Sequence, residues 1–364
     1  MDETPKTVIA MRHLPFLLCL GFLTVSCAGS GDKALLPRYS ENDLASTSAE
    51  ISLQDLVERG YRMDTVRLRN PDGAERLLIS DVTDVELADG CMFLLTADSK
   101  IMRFSPDGVL EGSVGIKGNG PGEYIYVNDI FLAPGGEYIC LNDVMKGTIT
   151  YGLDGTYKGT QARETPGQIV TSISDGQYIL ESVQTVVGNE ADRLRVRDSG
   201  GSVTGHFPNH LLFNYTPKAT VTAYQDYKAL FRNGAGEIVY HQMSTDTIFT
   251  VRPDVPALEP RCCFVLQNGA RQSDLSSFAD ISRKVSLVYD YAEDASFRYV
   301  TLIEPGWTKH LYLIDKGDNT VYRSVINVPG TETAFYPKWQ SGDRLMDYWL
   351  SEGEVPYLVV LEKS

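Results

Sequence analysis

From Ile51 onward the chain is a succession of apolar runs of four to eight residues separated by turn dipeptides. Asp-Gly recurs at Asp72-Gly73, Asp89-Gly90, Asp107-Gly108, Asp154-Gly155 and Asp175-Gly176. Short apolar runs closed by such pairs are the mark of β-hairpins, so the pattern predicts a mainly β chain. Only Leu53 to Glu58 and Gln272 to Ala279 carry helical spacing, and both are brief.

An internal repeat turns the hairpins into an architecture. Cys91 matches Tyr138, Phe104 matches Tyr151, Asp107 matches Asp154 and Gly112 matches Gly159, all at an offset of 47 residues. Four-stranded propeller blades recur at about 40 to 50 residues. A weaker copy runs from Tyr178 through Gly201 and Gly205, and similar strand pairs follow at Glu237 to Val251 and Arg298 to Ile314. The length after residue 50 holds between six and seven such repeats, and long connections favour six. A β-sandwich would leave the constant offset unexplained. The expectation is an all-β fold over residues 51–364: one six-bladed β-propeller with four-stranded blades around a central channel. Closed all-β folds often exceed the usual domain size, so 364 residues do not require two domains.

The N-terminus reads differently. Met11-Arg12-His13 precedes an apolar run from Leu14 to Val25, 12 residues long. A membrane-spanning helix needs about 20, so a cleaved signal peptide starting at Met11 is the better reading. The run ends in Leu23-Thr24-Val25-Ser26-Cys27, which resembles the lipobox of bacterial lipoproteins; Thr24 stands where that pattern usually has Leu. The resemblance implies residues 1–27 as signal, Cys27 as the lipidated residue, and anchoring in the cell envelope, at the outer membrane. Residues 28–50, rich in Ser, Ala, Gly and Asp, read as a flexible tether. The chain after residue 27 keeps a net charge of −15, which makes nucleic acid and anionic membrane surfaces poor partners.

Gly118-Asn119-Gly120-Pro121-Gly122-Glu123-Tyr124, with Asp129 downstream and Phe104 to Gly108 upstream, resembles the signature of six-bladed β-propeller lipoproteins of gut Gram-negative bacteria, relatives of NHL-repeat propellers. Asp246-Thr247-Ile248-Phe249 resembles a later segment of that family. The resemblance implies fold, anchor and compartment. It supplies no reaction and no catalytic residues.

Candidate chemistry is sparse. The Gly118 to Gly122 loop can cradle an anion, but it lacks the Lys-Ser/Thr ending of a phosphate loop, and an inter-blade turn is the plainer reading. His206 and His210 have the spacing of helical zinc ligands, yet Gly205 and Pro208 argue against a helix. Asp129 and Asp143 are weak candidates for a Ca2+ site at the channel, where a turn role is commoner. Cys91, Cys140, Cys262 and Cys263 read as buried thiols, with one or two bridges permitted in an oxidising compartment. Trp307, Trp339, Trp349, Tyr289, Tyr291 and Tyr348 can offer flat faces to sugar rings, about two of the six being expected at the surface, Trp307 first. No catalytic serine elbow or sialidase box is present. The expected function is a binding module for a glycan or envelope protein. The alternative is a polysaccharide hydrolase or lyase with a carboxylate pair in the channel.

Overall fold

The computed structural model describes residues 36–73, 77–79, 81–88, 90–163, 167–184, 189–210, 212, 229–242, 245–269 and 286–364. The signal segment with Cys27, residues 28–35 of the expected tether and the helix expected over Gln272 to Ala279 lie outside the described residues. Residues 36–364 form one compact unit.

Six antiparallel four-stranded sheets follow one another in a ring, a six-bladed β-propeller. Their innermost strands are Val82–Ala88 in blade 1, Val127–Leu132 in blade 2, Val170–Asp175 in blade 3, Leu230–Arg232 in blade 4, Leu287–Glu293 in blade 5 and Trp339–Ser341 in blade 6. The 47-residue repeat is the step from blade 1 to blade 2: their second strands begin at Cys91 and Tyr138. The matched Asp-Gly pairs close corresponding turns, with Gly108 at φ 82° and Gly155 at φ 85°. At Gly108 a Cβ would fall 2.2 Å from the Arg67 carbonyl oxygen, so the chain entering blade 1 passes where only glycine leaves room.

Tyr61–Arg67 closes the ring as the outermost strand of blade 6, antiparallel to Pro356–Lys363. The two chain ends are thereby sewn into one sheet.

Residues 36–50 of the expected tether are part of the fold. Arg38–Ser40 adds in parallel to the outer strand of blade 4, and Glu50–Ile51 adds in parallel to that of blade 5. Between them lies a helix, Glu41–Ala45, absent from the sequence expectation, and the expected helix Leu53–Glu58 follows. Two of the polar residues that suggested a solvated tether, Ser40 and Asp43, form a reciprocal capping box, and Ser52 with Asp55 forms another at the expected helix. Tyr39, Leu44 and Ile51 are buried, and Tyr39 stacks on Phe264 at 5.6 Å. Residues 36–67 are therefore a strap across the outer edges of blades 4, 5 and 6.

Apolar clusters sit between successive blades: Phe93 with Leu141 between blades 1 and 2, Leu180 with Val251 between 3 and 4, and Phe297 with Leu361 between 5 and 6. The boundary of blades 2 and 3 adds to a small apolar cluster of Phe131, Cys140 and Ile179 a polar network. Glu181 faces Arg195 and Arg197 at 3.1 and 2.8 Å, and Arg163 donates to Asn142 at 3.2 Å.

Candidate functional site

Each innermost strand begins on one face of the ring, here the upper face, and ends on the lower. At the upper face a cavity of 280 Å3 opens between blades 5, 6 and 1, lined among others by Tyr289, Asp290, Lys309, Lys338, Trp339 and Tyr348. Its volume is near the low end for small-ligand sites, about 300–1,000 Å3, and its mix of aromatic walls with a few polar groups is typical of them.

Strict alternation along a strand would send Tyr289 and Asp290 to opposite faces. A bulge between Val288 and Asp290 breaks the register, so both line the cavity. The same bulge precedes Asp84 in blade 1 and Asp129 in blade 2. The sequence shows the repetition as Val82-Thr83-Asp84, Val127-Asn128-Asp129 and Val288-Tyr289-Asp290. In blades 1 and 2 the carboxylate clamps the next blade. Asp84 Oδ2 accepts from the Ile130 amide at 3.1 Å, and Asp129 Oδ2 accepts from the Ser172 amide at 2.9 Å. In blade 5 the corresponding Asp290 Oδ2 is sealed from solvent with no hydrogen-bond partner. A structural position of the repeat has been released from its structural bond. Buried polar atoms are nearly always paired, so such an orphan marks a site.

Burial pushes the Asp290 carboxyl up to about 6; Lys309 and Lys338 pull it down and Asp347 adds to the rise. Between pH 3.8 and about 6 the folded chain thus holds a proton that the unfolded chain has released. The stability this group confers is complete below the unfolded value and is lost as pH rises through the folded one. Asp290→Asn, which mimics the protonated form, is therefore expected to stabilise the fold by about 1–3 kcal/mol at pH 8 and much less at pH 4. Urea unfolding at the two pH values measures the difference, and equal effects at both would contradict the assignment.

Lys309 is largely buried, and burial lowers its pKa. Its ammonium lies over the Tyr289 ring at 4.7 Å and the Tyr336 ring at 5.1 Å, while the Tyr336 hydroxyl donates to the Lys309 carbonyl at 3.3 Å. Lys338 is paired with Asp347 at 2.9 Å. The Tyr348 hydroxyl is buried without a partner, and burial pushes its pKa up to about 12.

The sequence-derived aromatics divide around this cavity. Trp307 is 38% exposed, sits at φ 66° after Gly306, and meets Tyr289 edge-on at 6.3 Å. An aromatic held in the left-handed region costs backbone energy, and such strain gathers at functional sites. Trp339 lines the cavity but is buried in the core of blades 6 and 1, its indole donating to the Thr83 carbonyl at 3.3 Å. It is a wall and not the flat platform the sequence suggested. Tyr291 is buried between blades 4 and 5, its hydroxyl donating to Glu293 at 2.8 Å, so it offers no sugar face either. Trp349 is half-buried and stacks on Tyr357 at 5.0 Å, away from this cavity.

Other candidates are structural. The Gly118–Tyr124 loop points its carbonyls inward: Lys146 Nζ donates to Gly118, Gly120 and Glu123 oxygens at 3.0, 3.2 and 2.7 Å. Glu123 takes the Gly120 amide at 2.7 Å and Tyr151 donates to the Gly122 carbonyl at 2.6 Å. Pro121 is exposed at the tip, and Tyr124 is buried between blades 1 and 2. A loop wrapped around its own ammonium is a turn, not an anion cradle. Asp129 and Asp143, the Ca2+ candidates, are both engaged by hydrogen bonds of the blades. Asp129 also accepts from Asn142 at 2.7 Å, and both Asp143 oxygens accept backbone amides, from Ile125, Tyr126, Met145 and Lys146. Among the described residues no group of three His, Cys, Asp or Glu side chains is placed to hold a metal. His206 lies on strand Val203–Pro208 beside Asp192 at 3.0 Å, and His210 lies beyond the strand. Cys91, Cys140, Cys262 and Cys263 are buried free thiols.

At the lower face the channel mouth has 500 Å3, but its cation, Arg232, is already bound to Asp175 at 2.6 Å and to the Ser174 carbonyl.

A family profile described as "Domain of unknown function (DUF4934)" matches residues 46–357. No curated protein matches the chain. A crystal structure from Bacteroides fragilis described as a "Putative exported protein" is similar over 90% of this chain and 99% of its own, with a TM-score of 0.62 and 14% identity. The structure of U3-55K is similar over 84% of this chain and 98% of its own, at a TM-score of 0.46 and 10% identity. At 14% identity the likeness to the Bacteroides fragilis protein bears on the fold alone.

Proposed function

The chain belongs to the DUF4934 family, a domain of unknown function, and from that premise we propose that it is an exported, lipid-anchored binding module of the cell envelope that captures the end unit of a glycan at the upper face. The observation that carries this reading is the cavity between blades 5, 6 and 1, where Asp290 and Tyr348 each hold a buried polar atom without a partner. A concave site of 280 Å3 suits one sugar ring better than the surface of a protein partner. The exposed Trp307 at its rim, edge-on to Tyr289, is suited to stacking on the next ring of the chain. Export rests on the Met11 to Val25 segment, in keeping with the description of the Bacteroides fragilis protein as exported, and anchoring rests on Cys27 alone. Binding modules and enzymes share this fold freely, so the site decides.

Thermal unfolding against a panel of oligosaccharides tests the reading. A ligand at 100 times its Kd adds about 2.7 kcal/mol, a readily measured rise in midpoint, and no rise with any glycan would count against capture. The proton held on Asp290 favours a second reading, a glycan-cleaving enzyme with Asp290 as the acid. New reducing ends, formed by the wild type and not by Asp290→Asn, would establish it over simple binding.

A further inference from the structure

The lysine that lines the upper cavity indicates which sugars it selects. Lys309 is largely buried, and among the described residues no carboxylate stands within ion-pair distance of its ammonium; the other lysine of the cavity is already engaged by Asp347 at 2.9 Å. Two tyrosine rings cushion the charge, at 4.7 and 5.1 Å, and Tyr336 fixes the backbone beneath it. Ring faces favour a cation without neutralising it, so a desolvated ammonium still gains by meeting an anion. The lining balances Lys309 and Lys338 with Asp81 and Asp290, and of the two cations it is Lys338 that a carboxylate holds at ion-pair distance.

A bare inorganic anion would not suffice. It would face the carboxylates of Asp81 and Asp290 in the same cavity and offer neither a hydroxyl hydrogen. A hydroxylated ring carries donors suited to the carboxylates of the lining, and its C–H face suits the Tyr289 wall. We propose that the cavity takes a sugar bearing an oxyanion, a carboxylate or a sulfate ester, with that oxyanion seated on Lys309. This rests on the reading of the cavity as a glycan site.

Calorimetric titration with three sugars of each of two series tests it: galacturonate, galactose 6-sulfate and galactose, and their glucose counterparts. In at least one series a charged member is expected to bind at least tenfold more tightly than the neutral one, and the choice between carboxylate and sulfate identifies the source. Lys309→Met, which keeps the stem, should remove that preference, and Lys309→Arg should retain it. Neutral sugars binding as tightly as charged ones, or charged sugars binding Lys309→Met as they bind the wild type, would overturn the oxyanion assignment while leaving the cavity as a glycan site. No saturable heat with any sugar would overturn both.

Discussion

Glu293→Ala is expected to lower the unfolding free energy by about 3–5 kcal/mol, the usual cost of removing one partner from a buried ion network. Glu293 is fully buried, and blades 4, 5 and 6 converge on it. Arg261 donates to it in fork fashion, Lys316 stands 3.4 Å away, Asn233 donates at 2.7 Å and Tyr291 at 2.8 Å. Its backbone is clamped as well, since Gln340 of blade 6 accepts its amide at 3.0 Å and donates to its carbonyl at 2.6 Å. Burial alone would raise its pKa, but the Arg261 bonds and the charges of Lys316 and Arg261 more than offset this, and it is held below the usual value. Alanine would strand the Arg261 guanidinium with only Glu237 and Thr250. Glu293→Gln, which keeps one oxygen for Asn233 and can turn its NH2 toward the Tyr291 hydroxyl, should cost less. Urea unfolding of both variants measures the difference, and a loss below about 1 kcal/mol for alanine would mean that the three blades do not depend on this carboxylate.

The second large effect concerns the strap. A chain beginning at residue 52 should be less stable by at least about 3 kcal/mol than one beginning at residue 36, because three buried side chains, Tyr39, Leu44 and Ile51, each contribute roughly 1.5–3 kcal/mol before the entropy of ordering the segment is subtracted. The deletion also bares the outer edges of blades 4 and 5, which the strap now pairs, and unpaired edges invite association. Denaturant unfolding and light scattering report the two consequences. Equal stability of the two chains would restore the tether reading of residues 36–50.

The strap shows why composition misleads. Ser40 and Asp43 look like solvating residues when counted, and act as a helix cap when placed. The blades were legible because their signal is local: apolar runs, Asp-Gly turns and an offset of 47 residues all survive in one dimension. The same locality made the Gly118–Tyr124 loop readable as a turn, although its partner, Lys146, lies 28 residues beyond Gly118. The cavity is assembled otherwise. Tyr289, Trp339 and Tyr348 were visible as aromatics, but Asp290, Lys309 and Lys338 come from two blades and meet only where blades 5 and 6 pack together. One signal was available. Val-x-Asp opens the innermost strands of blades 1, 2 and 5, and the residue that fails to clamp its neighbour, Asp290, is the one that lines the cavity. Which copy is the odd one cannot be told from spacing, because all three copies read alike.

The central claim is that the upper cavity is where the molecule meets its ligand. Ala97 is exposed at the cavity rim, so Ala97→Trp fills the opening without entering the core. The direct measurement is glycan-array capture by the wild type and by Ala97→Trp, with thermal unfolding confirming that both are folded. The account predicts a defined set of captured glycans for the wild type and their loss in the variant. The same set captured by both proteins would contradict it, and would move the binding surface to another part of the propeller.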